Sequence, residues 1–359
     1  MNTTIAISSG KGGTGKTFIA TNIARILSGS GLHEKIRYID CDVEEPNGHL
    51  FLHPEIASRK KTSIISPTDI DRDKCTSCGR CADACHYNAI TVVNDKVLLF
   101  QNLCHTCGAC TIVCPEDAVI ETEREIGEIL SGRSGDVELH YGLLKTAEGG
   151  MSPRLISLLK SRIDSGINIL DSPPGTACSV VETVKDADLT LLVTDPTPFG
   201  VNDLKLSVDM CREIGCEPLV IVNRADYMND NLKEYCKKEE LDIIGEIPDD
   251  RAIATCYSDG YLAVEKLPEY KTLFTALAEK ITAEAGKERP AKKRPAIAPI
   301  KDMEQHDTED KPTQSNTKEI VVISGKGGTG KTSLAAAFCA LEENIAIADC
   351  DVDAADLHL

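Results

Sequence analysis

The sequence predicts an α/β fold: a doubly wound, mostly parallel sheet with a phosphate-binding loop at its head and a cysteine-rich insertion. Three observations predict it. Short apolar runs alternate with helical stretches, a glycine-rich loop ending in Gly15-Lys16-Thr17 follows the first run, and eight cysteines crowd between positions 75 and 114. At 359 residues the chain is too long for one ordinary domain, so more than one unit is expected.

The strands come first. Ile5–Ser8, Ile36–Ile39, Ile167–Leu170, Leu189–Thr194, Leu219–Val222 and Ile243–Ile247 are strand-length and mostly apolar on both faces. Strands read that way when helices cover both sides of a parallel sheet, because neither face meets water. Helical patterns fall between them, at Lys16–Leu27, Pro153–Ile163, Asn202–Ile214, Asn231–Glu240 and Glu269–Ala285. This alternation implies layered α/β architecture. Residues 1–61 with 123–285 form that module, and 62–122 interrupt it.

Composition narrows the function classes. With 42% hydrophobic residues the chain is globular, and with 4% aromatics and no tryptophan its core must be aliphatic. A net charge of −18 argues against a surface that tracks nucleic acid or anionic lipid, which needs positive charge. No run of 18 apolar residues is present, so no membrane-spanning helix is expected. The first residues carry neither a basic segment nor a cleavage site, so no signal peptide and a cytoplasmic location are expected.

Gly10-Lys11-Gly12-Gly13-Thr14-Gly15-Lys16-Thr17 fits G-x-x-x-x-G-K-[ST] between a strand and a helix, the context that motif requires. The glycines let backbone N–H groups turn in around phosphate oxygens, and the helix N-terminus adds partial positive charge. Lys16 then reaches the β- and γ-phosphates, and the Thr17 hydroxyl binds Mg²⁺. ATP and Mg²⁺ are therefore expected. Two acidic strand ends follow: Asp40-Cys41-Asp42, and Asp171 before Ser172-Pro173-Pro174-Gly175.

With Lys11 directly after the first glycine, the motif resembles the deviant Walker A of the MinD/ParA class of P-loop ATPases. The resemblance implies that Lys11 crosses a nucleotide-sandwich dimer to the partner's phosphates. It also implies that Asp42 orients the attacking water in switch I and that Asp40 supports the metal site. Asp171 would hold Mg²⁺ through water as the Walker B acid, and the Gly175 N–H in switch II would sense the γ-phosphate. Asn223 would read adenine, with Pro248 lining the base. Lys11, Lys16 and Asp42 are the catalytic candidates.

Cys75-x2-Cys78-x2-Cys81-x3-Cys85 is followed by Cys104-x2-Cys107-x2-Cys110-x3-Cys114-Pro115. Two such runs resemble the bacterial two-cluster ferredoxins, in which three thiolates of one run and the fourth of the other hold each cluster. That resemblance implies two 4Fe-4S clusters, one on Cys75, Cys78, Cys81 and Cys114, the other on Cys104, Cys107, Cys110 and Cys85. Zinc is the lesser reading, because it takes four ligands in paired knuckles and leaves half of each run unused. Disulfides need an oxidising compartment that nothing here supports. His86 replaces the proline usual after the fourth cysteine, a departure that bears on tuning of the second cluster. The other eight cysteines, at 41, 178, 211, 216, 236, 256, 339 and 350, form no C-x2-C pair and read mostly as small buried hydrophobes. Cys178, just after switch II, is the lone candidate among them for a bridging role.

The head of the chain recurs near its end. SSGKGGTGKT at 8–17 reappears as ISGKGGTGKT at 323–332, and IDCDVEEPNGHLFL at 39–52 is echoed by ADCDVDAADLHL at 348–359. Residues 286–317, with five Gly or Pro positions and no apolar periodicity, read as a disordered linker. Residues 318–359 read as the truncated start of a second copy.

In order of motifs, residues 1–285 are similar to MinD-superfamily ATPases that carry an inserted ferredoxin domain. The implied function is slow, partner-stimulated ATP hydrolysis, with nucleotide-dependent dimerisation coupled to the clusters for electron transfer or redox sensing. Implied partners are a second copy or a paralogous ATPase, and a redox or metal-cluster protein. One alternative is an iron–sulfur scaffold or carrier that uses ATP as a conformational ligand. The absence of a C-x2-C outside the runs argues against it. Another is a MinD-like membrane-associated ATPase, whose targeting helix would be Pro268–Ala285 with its stripe of Leu273, Phe274, Leu277 and Ile281. That stripe reads more readily as a helix packing on its own sheet.

Overall fold

The computed structural model describes residues 2–31, 35–145 and 149–287, with Leu334 and Ala337 beyond them. The expected linker past Lys287 and the expected second copy lie outside the described residues, apart from those two positions. The strands are β1 (Asn2–Ser8), β2 (Ile36–Asp40), β3 (Glu55–Ile70), β4 (Ile90–Val93), β5 (Lys96–Leu99), β6 (Val119–Ser134), β7 (Val137–Leu144), β8 (Gly166–Asp171), β9 (Leu189–Thr194), β10 (Leu219–Asn223) and β11 (Ile243–Ile247). The helices are α1 (Lys16–Gly29), α2 (His49–Leu52), α3 (Arg80–Asp83), α4 (Ala109–Ile112), α5 (Ser152–Lys160), α6 (Cys178–Val184), α7 (Pro198–Glu213), α8 (Asp230–Lys238), α9 (Arg251–Ser258), α10 (Ala263–Lys266) and α11 (Pro268–Ala285).

Nine strands form one sheet in the order β11-β10-β9-β1-β8-β2-β7-β6-β3. The seven from β11 to β7 run parallel, and β6 and β3 add an antiparallel margin. Alternate residues of each parallel strand enter opposite cores. Ile5 and Ile7, Ile167 and Ile169, and Leu219 and Ile221 meet α1, α10 and α11 on one face. Ala6, Ile39, Leu170, Leu192, Val220 and Val222 meet α5, α6, α7 and α8 on the other. Both faces are covered, which is why the strands read as unbroken apolar runs.

Helix α11 shows why its stripe exists. Phe274, Leu277 and Ile281 are buried in the first core, and Phe274 meets Phe18 of α1 edge-on at 5.6 Å between ring centroids. Full burial of a side chain such as Phe274 contributes about 1.5–3 kcal/mol. The stripe is thus spent on the fold, and among the described residues no helix is long and apolar enough to cross a membrane.

β3 and β6 pair from Glu55 opposite Arg133 out to Ile70 opposite Val119, a two-stranded stem that carries the cysteine segment at its tip. The expected insertion limits, 62 and 122, fall inside this stem. The segment 71–118 has internal two-fold character. Gly79 and Gly108 both take positive φ before matching short helices α3 and α4, and Ser77 and Thr106 are likewise left-handed. Each half closes on the other: the Asp71 N–H donates to the Ala118 carbonyl, and the Phe100 N–H to the Ala89 carbonyl.

Candidate functional site

The carboxyl ends of the parallel strands gather the expected nucleotide residues. The loop Gly10–Gly15 joins β1 to α1, and Gly13 and Gly15 adopt φ of 77° and 98°, where a side chain would be strained. Gly10 has a second constraint, since a Cβ there would lie 2.3 Å from the Asp203 carbonyl oxygen. Asn223, at the end of β10, donates from Nδ2 to the Thr14 carbonyl at 2.8 Å. In this structure it therefore braces the loop. Its register partner is Ile247, which sets half-buried Pro248 at the neighbouring strand end.

Lys16 is buried, and burial pushes its ammonium pKa down while Asp171, Asp42 and Asp40 pull it up. The three acids differ in what they hold. Asp40 accepts from the N–H groups of Asp42, Asn47 and Gly48, so both its oxygens shape the loop after β2, the expected switch I. Asp171 accepts the Tyr38 hydroxyl on Oδ2 at 2.7 Å, and the Thr17 side chain lies close enough to help hold its carboxyl down, while Oδ1 is buried without a partner at hydrogen-bond distance among the described residues. Burial raises the Asp171 carboxyl, opposed chiefly by Lys16. Asp42, partly exposed, accepts the Glu45 N–H, and burial lifts its pKa to about 6.

The Asp42 shift has a sign for stability. Its folded pKa exceeds the usual unfolded value, so the ionised carboxylate opposes folding: the stability that Asp42 contributes is fully present below about pH 4 and is lost as pH rises through about 6. Asp42→Asn should therefore stabilise the nucleotide-free protein at pH 7.5 by on the order of 2 kcal/mol, with the gain shrinking below pH 5. Urea melts at both pH values check this, and a gain independent of pH would contradict it.

Two groups expected to face phosphate are occupied within the chain. The Gly175 N–H donates to the Ser9 carbonyl at 3.0 Å. Lys11 Nζ lies 3.6 Å from Asp195 Oδ2 and 3.7 Å from Asp203 Oδ2, above the Phe199 ring. Tyr38, Asp195 and Asp203 had no assigned role in the sequence reading. Asp195 lies in the loop between β9 and α7, and nothing in its spacing tied it to Lys11.

In the insertion, Cys85 of the first run joins Cys104, Cys107 and Cys110 of the second around one small cavity, with Tyr87 and His105 also in its wall. Burial pushes the Cys81 thiol up, with Cys114 and Cys75 adding to the effect. Burial does the same at Cys110, where Cys104 and Cys107 add. Backbone N–H groups of Ala89, Thr106 and Ala118 donate to the sulfurs of Cys85, Cys104 and Cys114 at 3.3–3.4 Å. Cys78 and Cys107 are exposed. Among the described residues no group of three or more His, Cys, Asp or Glu converges tightly enough to hold a single metal ion. Outside the runs, Cys41, Cys211, Cys236 and Cys256 are buried, and Cys178 is exposed.

A glycine loop at the head of a parallel sheet, with buried lysine and acidic strand ends, defines a P-loop nucleotide-binding protein. Residues 5–263 match the CobQ/CobB/MinD/ParA nucleotide binding domain, CbiA, and the chain belongs to that family. It is 34% identical over 231 residues to the uncharacterized protein MJ0578 of Methanocaldococcus jannaschii, covering 63% of this chain and 80% of that one. It is 29% identical over 258 residues to MJ0579 of the same organism, covering 71% and 89%. A weaker likeness, 26% over 136 residues, links 32% of this chain to 52% of a cytosolic Fe-S cluster assembly factor, a Nubp2 homolog of Aedes aegypti. Among solved structures, the septum site-determining protein MinD of Pyrococcus horikoshii, complexed with Mg-ADP, shares the fold with a TM-score of 0.50 at 20% identity. That match covers 80% of this chain and 98% of that one.

Proposed function

We propose that the chain is an ATPase whose nucleotide-dependent dimerisation is coupled to a two-cluster ferredoxin-type insertion, which exchanges electrons with a partner protein or reports its redox state. The observation that carries this reading is the gathering of Cys85 with Cys104, Cys107 and Cys110 around one cavity, in a chain that also sets Lys16 among Asp40, Asp42 and Asp171. The donor chemistry suits iron–sulfur: eight cysteines at ferredoxin spacing, with backbone N–H groups turned to three of the sulfurs. Each thiolate of a 4Fe-4S cluster binds a different iron, so its ligands line a cavity instead of meeting at one point. Cys75, Cys78, Cys81 and Cys114 would hold one cluster and the other four cysteines the second, supplying one-electron centres.

At the nucleotide, backbone N–H groups of the loop and Lys16 hold the phosphates. The orphaned Oδ1 of Asp171 and the Thr17 hydroxyl would hold hydrated Mg²⁺, which would supply charge neutralisation at the phosphates. Asp42 holds the attacking water in line, and catalysis is mainly positioning and charge stabilisation. Lys11 and the Gly175 N–H must exchange their present partners for phosphate, so ATP draws Lys11 from Asp195 and Asp203, and Gly175 from Ser9. Lys11 then serves the partner's nucleotide, in a homodimer or with a paralogous ATPase.

Phosphate release by wild type and Asp42→Ala tests the enzymatic claim. A drop of roughly 100-fold or more is expected for the variant, with ATP binding retained. Equal rates, or no release from either, would sink the proposal. A second reading, an iron–sulfur carrier that uses ATP as a conformational ligand, draws on the partial likeness to the assembly factor. It is favoured instead if loaded protein hands its clusters to an apo-acceptor while hydrolysing nothing.

A further inference from the structure

Among the described residues, the insertion touches the nucleotide module at two places. One is the stem, but β6 and β3 join the sheet beyond β7, two and three strands away from β2 and the loop that follows it. The other is the loop of the second cysteine run, and it leads directly to switch I. His105 lies in the wall of the four-cysteine cavity, stacked on Tyr87 with 3.8 Å between ring centroids and 11° between planes. Beyond it is Gly150, where an added Cβ would stand 3.4 Å from His105 Nε2. Next to this contact, Arg154 donates to the Thr106 carbonyl at 3.4 Å.

Gly150 belongs to the 3-10 turn Gly149–Met151 that enters α5. That helix is fixed to the sheet by Leu155, Ile156 and Leu159, all fully buried. At its first position, buried Ser152 donates from Oγ to Glu44 Oε1 at 2.6 Å. Glu44 is two residues past Asp42, and its charge adds to those raising the Asp42 carboxyl. Between them, the Val43 carbonyl accepts the Leu144 N–H at 2.8 Å. One hydrogen bond thus ties the far side of the switch I loop to a rigid element that also backs the cysteine cavity.

We propose that the Ser152–Glu44 hydrogen bond is the joint through which the second cysteine run and switch I bear on each other. When nucleotide repositions switch I, Glu44 pulls on the entry to α5, and the Gly150–His105 contact carries the shift to the cavity wall. The inference rests on the coupled ATPase reading above and names its route. Such coupling is reciprocal: the factor by which ATP alters the reduction equilibrium of the cluster beside His105 equals the factor by which reduction alters ATP affinity.

The test is an anaerobic, EPR-monitored redox titration of the cluster-loaded full chain, with dithionite as reductant, with and without Mg²⁺ and a non-hydrolysable ATP analogue. Wild type is expected to show coupling of about tenfold, a shift of about 60 mV in one cluster's one-electron couple. The analogue's affinity for oxidised and reduced protein should differ by the same factor. Ser152→Ala should keep its iron and its nucleotide binding but lose most of the shift, and Ser152→Thr, which keeps the hydroxyl, should retain it. Glu44→Ala removes the same bond from the exposed side and should match Ser152→Ala, while Glu44→Gln keeps an acceptor and should resemble wild type. A full shift in both alanine variants would overturn the joint and leave the coupled ATPase standing. No shift in wild type would overturn both.

Discussion

Lys16→Ala is expected to weaken Mg-ATP binding at least 100-fold and to lower the melting temperature of the nucleotide-free protein by roughly 6–20 °C. Both effects come from one ammonium. Against phosphate it makes charge-assisted hydrogen bonds, each contributing about 1.5–3 kcal/mol. Without nucleotide it is the counter-charge of Asp171, Asp42 and Asp40, from a position that is itself buried. Breaking a buried ion set by removing one partner costs about 3–5 kcal/mol, and each kcal/mol moves the midpoint of a module this size by about 2–4 °C. Burial raises all three carboxyls, so protonation relieves the strain and the loss of stability should shrink as pH falls toward 5. Lys16→Met separates lost volume from lost charge. Calorimetric titration and scanning calorimetry read the two effects, and unchanged affinity would mean that the nucleotide site lies elsewhere.

Anaerobic reconstitution should yield about eight iron and eight sulfide per chain, and Cys110→Ala should fall to about four. Cys85→Ala should remove the same EPR signal as Cys110→Ala, because these residues of different runs share one cavity. Cys81→Ala should remove the other signal, since its thiol neighbours are Cys114 and Cys75. Cys236→Ala is the control. It is buried in the second core away from both runs and should keep all eight iron. If Cys85→Ala paired with Cys81→Ala instead, each run would hold its own cluster and the crossed assignment would fail. Iron content unaffected by any of them would remove the ferredoxin reading altogether.

The parallel core was legible because helices cover both of its faces and leave a continuous apolar signal. Leu189–Thr194 and Ile243–Ile247 span the same residues as β9 and β11, and Lys16–Leu27 falls two residues short of α1. The margin was not legible. Arg59, Lys60 and Lys61 on β3, and Glu121, Glu123 and Glu125 on β6, give those strands the charged look of loops, and only their pairing makes them a sheet. Charged side chains suit an edge strand because they discourage pairing with other chains. Loop and cysteine spacing marked the expected nucleotide and cluster residues, since such chemistry demands fixed intervals. Tyr38 and Ser152 had no interval to betray them, because their partners Asp171 and Glu44 are distant in sequence. Asp40 was expected to support a metal, and the fold shows both its oxygens committed to the N–H groups of Asp42, Asn47 and Gly48.

Spatial order and chain order part company at the stem, with a consequence for synthesis. Strand β2 is made early, yet its neighbours β7 and β8 emerge only after the whole cysteine segment. Strand β3 likewise waits unpaired until β6 follows residue 118. Contacts so distant in sequence form slowly, and unpaired strand edges invite aggregation in the interval. On the ribosome the cysteine segment therefore stands between the P-loop and the strands that complete its sheet, so it can close on itself before the nucleotide fold is whole.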